Sequence, residues 1–285
     1  MEIELPPWKI FTKAISLIWE KRLFALYISF PIILLYLLTG VAMDLGMIEK
    51  PPFVLAEEQG ARNPTFSQFL WGLPVALLFG FFLAVIAVFW HRSILLGEHA
   101  VGNVPLRFDR VVWRYIFYVI GVFLWAMILI VALMLISTVI GLAFSATGAG
   151  SAFDYLLVIC FIPFFLYLAI VVFRLSLTLP AAAIGHADFG FRAAWDISRG
   201  HNWQFLAILF LMFGLGIIVG FALVGITLIF GEPALALYAS LPKSLTLTLE
   251  AVLYAAQTLI SIGVLSLSFA YLTYEGPRGG AVTRK

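Results

Sequence analysis

Residues 115–144 read YIFYVIGVFLWAMILIVALMLISTVIGLAF, thirty residues without a charged side chain. As a helix this run is about 45 Å long at 1.5 Å per residue. About 20 apolar residues suffice to cross the hydrocarbon core of a bilayer. The run therefore reads as a transmembrane helix, either tilted or extending past the bilayer. Five more runs pass the same test, approximately Leu23–Leu45, Phe69–Trp90, Tyr155–Leu179, Phe205–Phe230 and Leu245–Tyr271. None shows the strict alternation over about ten residues that a barrel strand needs. The expected fold is all-α, a polytopic membrane protein with six transmembrane helices. Pro163 predicts a kink in the fourth run, whereas Pro74 falls in the first turns of the second, where proline is better tolerated.

Composition agrees. The 285 residues are 63% hydrophobic and 11% charged, with a mean hydropathy of +1.08. A soluble domain is about half apolar and a quarter charged, and a globule of this length cannot hide so much apolar surface. A water-soluble enzyme and a disordered chain are excluded. With Cys160 the single cysteine, so is an intrachain disulfide scaffold. The first run is longer than a signal core and no small-x-small cleavage site follows it, so it reads as an uncleaved span.

Basic residues orient the spans. With the N-terminus in the cytoplasm, the cytoplasmic segments hold Lys9, Lys13, Lys21, Arg22, Arg92, Arg107, Arg110, Arg114, Arg174, Arg192, Arg199, Arg278, Arg284 and Lys285. Only Lys50, Arg62 and Lys243 lie on the other side. The bias requires an even number of crossings and places both termini inside a bacterial inner (plasma) membrane. Trp8, Trp19, Trp90, Trp113, Trp195 and Trp203 fall near the cytoplasmic interface and Trp71 near the outer one, as an aromatic belt does. Trp125, inside the third span, is assigned to helix packing.

A short amphipathic stretch precedes each odd-numbered span. Lys9, Lys13, Ser16 and Glu20 share one helical face, with Trp8, Phe11, Ile15 and Ile18 on another. Arg107, Arg110 and Arg114 share a second face. The third stretch carries Arg192, Asp196 and Arg199, with Asp188 as its expected N-cap and Gly200 as its end. These stretches read as interfacial helices on the cytoplasmic side. The unit, an interfacial helix followed by a helical hairpin, reads as a threefold repeat within one membrane domain, residues 1–275, ahead of a flexible cytoplasmic tail, residues 276–285. The alternative is that any inner-membrane protein carries aromatic and basic residues at this edge.

The run from Arg174 to Gly185, with Phe191-Arg192-Ala193-Ala194-Trp195 and Trp203, resembles a pattern in uncharacterised bacterial six-span membrane proteins. These are distantly similar to the membrane domain of glycerophosphodiester phosphodiesterases. The resemblance covers about 30 residues and transfers no catalytic residue. It implies a membrane-embedded, lipid-proximal accessory role.

Ionisable groups inside a bilayer are costly and read first as functional. Asp154, Arg174 and Glu250 qualify. Arg174 can reach headgroup phosphate, or be an ordinary interfacial arginine. Along the sixth span Lys243, Thr246, Glu250, Tyr254, Gln257, Ser261, Ser268, Tyr271 and Glu275 form a polar stripe. It is either a route for a polar solute or a seam of interhelical hydrogen bonds. Small residues at Gly214, Gly216, Gly220, Gly225, Gly80, Ala84, Ala251 and Ala255 predict close helix contacts. His91, Glu98 and His99, and His186, Asp188 and His201, lack metal-ligand spacing, and no cofactor motif occurs.

The reading adopted is a non-enzymatic membrane component. It binds anionic lipid headgroups, with a protein partner also compatible, through a rim of Arg92, Arg107, Arg110, Arg114, Arg174, Arg192 and Arg199. Nucleic acid is not an expected partner, because these charges are dispersed and close to the bilayer. The alternative is a transporter or channel lined by Glu250, Tyr254, Gln257 and Ser261. A third reading is a membrane-embedded enzyme acting on lipid.

Overall fold

The computed structural model describes residues 6–46, 66–97, 110–146, 150–186, 188–230 and 242–275. Among them every regular element is helical: α1 Pro7–Glu20, α2 Arg22–Asp44, α3 Phe66–Leu95, α4 Arg110–Ala146, α5 Gly150–Ser176, α6 Thr178–Ala183, α7 Phe191–Ile197, α8 Asn202–Phe230 and α9 Lys243–Ala270. A π-helical turn, Tyr271–Glu275, follows α9. Five stretches are long and apolar enough to cross a membrane: Arg22–Asp44, Leu77–Leu95, Arg110–Phe144, Ile159–Ala183 and Leu247–Thr273. A sixth is added if Phe191–Ile197 and Asn202–Ile218, bent by 100°, are taken as one span. Among the described residues the protein is thus all-helical, with five or six helices long and apolar enough to cross a membrane.

The chain divides into two compact units, one of Met1–Ile10, Arg107–Leu211 and Leu265–Lys285, the other of Phe11–Leu106 and Met212–Val264. In the second unit α2 and α3 form an antiparallel pair: Phe24 stacks on Trp90 at 6.2 Å, and twelve residues on, Tyr36 meets Phe79 at 5.9 Å. Phe79 also meets Tyr254 of α9 at 5.8 Å. At one end the Asp44 carboxylate accepts a hydrogen bond of 3.0 Å from the Ser244 backbone N–H, in the first turn of α9, where a helix favours negative charge. At the other end the fully buried Trp90 donates through Nε1 to the Leu259 carbonyl at 2.9 Å. A methyl group at Gly263 would lie 3.4 Å from the Ala14 Cβ and 3.6 Å from the Trp90 Nε1. The Lys21 ammonium, between α1 and α2, donates to the Ser93 carbonyl near the end of α3. Burial pushes its pKa below the usual lysine value. α2 and α9 thus run antiparallel, with α3 beside both.

The first unit is a second antiparallel pair, α4 and α5, on which the short helices α6 and α7 rest. Val122, Val171 and Leu175 are its buried centre, with Leu129, Val172, Phe191 and Trp195 packed around them. Phe173 packs on Phe205 of α8 at 5.0 Å, and Phe189 on Phe269 at 5.2 Å. The Phe191 ring enters a notch at Gly121, where a Cβ would come within 2.8 Å of its Cζ.

Several local expectations change. Asp188 does not cap α7; Gly190 is the N-cap, with no side-chain hydrogen bond. Gly200 does adopt the left-handed conformation after α7, at φ 91°, where a side chain would be strained. Arg110 begins a 37-residue helix that runs without a break into the third span; Arg107 lies outside the described residues. The buried side of α1 is Ile10, Phe11, Ala14 and Leu17, leaving Trp8 and Ile15 exposed. Trp90 is a core residue and not part of a belt, whereas Trp125, assigned to packing, is half exposed. A Cβ at Gly80 or Gly214 would meet nothing within 4 Å, so neither marks a close contact, while Ala84, Ala251 and Ala255 are buried. Helix α5 continues through Pro163.

Filling the Gly121 notch tests the docking of α7. Gly121→Val should destabilise the protein by about 1–3 kcal/mol, the usual cost of overpacking. Adding Phe191→Ala should recover part of that loss in thermal unfolding in detergent. Strictly additive losses would show that the two residues do not meet.

Candidate functional site

The arginines of the first unit gather where α4 begins, α5 ends and α7 lies. Arg110 is exposed and Arg114 half-buried in the first two turns of α4. One turn further, Tyr118 sets its ring edge-on to Phe191 at 5.4 Å, and its hydroxyl donates to the Phe189 carbonyl at 3.5 Å. Arg192 follows Phe191 directly. Arg192 and Arg199 are both exposed and stand seven residues apart, on one side of α7 and its closing turn.

Arg174 behaves differently. It lies in the last turn of α5 and is only 6% exposed. Its Nε donates to Ser198 Oγ at 2.8 Å, Nη2 to the Trp195 carbonyl at 2.8 Å and Nη1 to Asn202 Oδ1 at 3.3 Å. Its guanidinium carbon sits 3.8 Å above the centre of the Trp195 ring. Ser198 passes its own proton to the Ala194 carbonyl at 2.6 Å. All these acceptors belong to the 100° corner between α7 and α8. Carbonyls at a helix C-terminus carry partial negative charge, and a ring face attracts a cation. Dipoles and a π-face therefore hold this buried charge, and none of these partners is a carboxylate. The sequence places Arg174 on the rim as a headgroup anchor. In the structure its donors turn inward, and it fixes the helix that presents Arg192 and Arg199.

The residues quoted for the family resemblance include both halves of this clamp, Arg174 and Trp195. Their contact was not legible beforehand, because twenty residues and the short helix α6 separate them. Ser198 and Asn202, which complete the clamp, were not singled out; polar residues on either side of Gly200 were the available signal.

Arg92, half-buried on α3, belongs to the second unit. There the first half of the α9 stripe is accessible on one side, while its Tyr254 ring meets Phe79 of α3. Glu250, Tyr254 and Gln257 are exposed, and Ser261 is half-buried. The Ser261 hydroxyl donates to the Gln257 carbonyl of its own helix at 2.9 Å. A Cβ at Gly216 would approach Gln257 Nε2 to 3.4 Å. Ser268, further along α9, is fully buried. Asp154 lies in α5, with its side chain outside the described set.

His91 is fully buried, His201 half-buried and His186 exposed; Glu98 and His99 lie outside the described residues. Among the described residues no group of three His, Cys, Asp or Glu side chains is arranged to hold a metal ion. No family model, curated protein or solved structure matches the chain.

Arg174→Gln removes charge-assisted hydrogen bonds worth about 1.5–3 kcal/mol each. It should destabilise the protein by at least that much in detergent unfolding, and Arg174→Lys should recover only part. A neutral Arg174→Gln would mean that the corner holds without the clamp.

Proposed function

We propose that this chain is a non-enzymatic component of a bacterial plasma membrane that binds anionic phospholipid headgroups at its cytoplasmic edge. In this reading six helices cross the bilayer and both termini are cytoplasmic. The antiparallel run of α2 and α9 supports an even number of crossings, because the chain enters α2 and leaves α9 at the same end. The charge distribution supports the orientation: Lys21, Arg22 and Arg92 lie at that end of the second unit, and Asp44 lies at the opposite one.

The carrying observation is the exposed pair Arg192 and Arg199 on a helix locked by Arg174, at the same end of the first unit as Arg110 and Arg114. Exposed guanidiniums on a packed helix suit bidentate contact with phosphate. Arg92 and Arg107 extend the rim by their place in the sequence. The family resemblance points the same way, toward a lipid-proximal role. A protein partner presenting carboxylates to the same arginines is the neighbouring possibility.

A second reading, transport of a small solute or lipid, is favoured by one observation. The exposed residues Glu250, Tyr254 and Gln257 begin about 10 Å inside the start of α9 at 1.5 Å per residue. Transport predicts that Glu250→Gln changes flux in proteoliposomes; lipid binding predicts that it does not. A third reading, a lipid enzyme, requires converging acid–base or nucleophilic groups beside the rim.

The binding reading is tested in nanodiscs of phosphatidylglycerol and phosphatidylethanolamine, by measuring how much phosphatidylglycerol the protein retains through detergent exchange. Each basic residue near an anionic surface contributes about 1 kcal/mol. The combined Arg110→Gln, Arg114→Gln, Arg192→Gln and Arg199→Gln variant should therefore lose most of its enrichment, and the four Lys replacements should keep much of it. Unchanged enrichment in the Gln variant would dismiss the proposal.

A further inference from the structure

Helix α1 divides its circumference three ways. Ile10, Phe11, Ala14 and Leu17 are buried. Lys9, Lys13, Ser16 and Glu20 fall within about 60° of one another at 3.6 residues per turn. They form a polar side in which Lys13 Nζ pairs with the Glu20 carboxylate at 2.9 Å and the Ser16 hydroxyl donates to the Lys13 carbonyl at 2.9 Å. The hydrogen bond from the Lys13 ammonium holds the Glu20 carboxyl below its ordinary pKa. The third side is Trp8, Ile15 and Trp19, apolar yet 63%, 39% and 73% exposed. A helix lying between a protein core and water has two sides of distinct character, not three.

We propose that this third side is immersed in the headgroup–acyl boundary of a phospholipid bilayer. Helix α1 then lies along the membrane surface, with protein on one face, lipid on the second and water on the third.

Three observations carry the assignment. The first is position. A single residue, Lys21, separates α1 from α2, and α2 is long and apolar enough to cross a membrane. Helix α1 therefore sits at the height where such a span meets the headgroups. The second is continuity. The Arg22 guanidinium lies 5.3 Å above the Trp19 ring. Directly after it begins the exposed apolar row of α2, namely Leu23, Leu26, Tyr27 and Phe30. The exposed side of α1 thus joins a row that only hydrocarbon can cover cheaply. The third is chemistry. Tryptophan rings favour the interface, and flanking lysines keep their charges in water or among phosphates while their stems lie in the apolar layer. A helix of this kind sinks its apolar face about 5–10 Å below the headgroups.

The inference rests on the membrane placement of α2 and not on the arginine rim, so the two can fail separately. Nitroxide labels at Ile15→Cys, Trp19→Cys, Lys13→Cys and Ser16→Cys, each in a Cys160→Ser background, test it. The full chain is reconstituted in phosphatidylglycerol–phosphatidylethanolamine vesicles. Collisions with oxygen, which partitions into lipid, are compared with collisions with a water-soluble nickel chelate. Labels at 15 and 19 should show a ratio of oxygen to nickel collisions several-fold above that at 13 and 16. A ratio at 15 and 19 equal to that at 13 would place this side in water. Low access to both reagents would place it under protein. Either result overturns the proposal.

Discussion

The rest of the structure depends on the solvent outside helix α4. Only 6% of its most apolar stretch is buried, and Phe117, Phe123, Leu135 and Val139 are mostly exposed. A soluble monomer rarely exposes a contiguous apolar patch beyond a few hundred square ångströms. Hydrocarbon removes the penalty and imposes another rule, that every backbone donor and acceptor be satisfied within the chain. Long helices meet that rule, which is why the described residues hold almost nothing else.

Under that rule polar side chains have two places, at the ends of helices or against one another. Ser137, Thr138 and Ser176 return their hydroxyls to carbonyls four residues back. Trp90 gives its indole proton to a carbonyl of α9. Arg174 spends its donors on the corner between α7 and α8 and lays its cation over Trp195. The chain thus uses its few interior polar groups to fasten corners and crossings. Of the exposed arginines among the described residues, Arg110, Arg192 and Arg199 stand on an end so fastened. Structure and proposed function meet there: Arg174 orders the helix, and the helix offers charge to phosphate.

The long helices were legible because a long apolar run is a local signal that no neighbour can overrule. Each expected run falls within a helix of the structure or within a residue or a short helix of one, since Leu45 is the cap of α2 and the fourth run continues into α6. What depends on contact between distant segments was not legible. Trp90 is buried and Trp125 half exposed, against expectation, because burial of an indole is decided by which helix lies opposite, and hydropathy does not carry that. The charged face of α1 is as the spacing has it, whereas its apolar residues divide between a buried and an exposed side that only packing distinguishes. The cap of α7 fell to Gly190 because the chain turns after Asp188 before the helix begins. Among the site residues, exposure of Arg192 and Arg199 follows from their spacing, but the inward turn of Arg174 needed the position of Ser198.

The account stands or falls on α2 and α9 spanning hydrocarbon in opposite directions, with the basic end inside the cell. Single cysteines at Ser16, ahead of α2, and at Leu45, just after it, in a Cys160→Ser chain, can be labelled in intact cells with a membrane-impermeant maleimide. The account predicts labelling at position 45 at once, and at position 16 only after the membrane is opened. Labelling of position 16 in intact cells, or equal labelling of both, would contradict it.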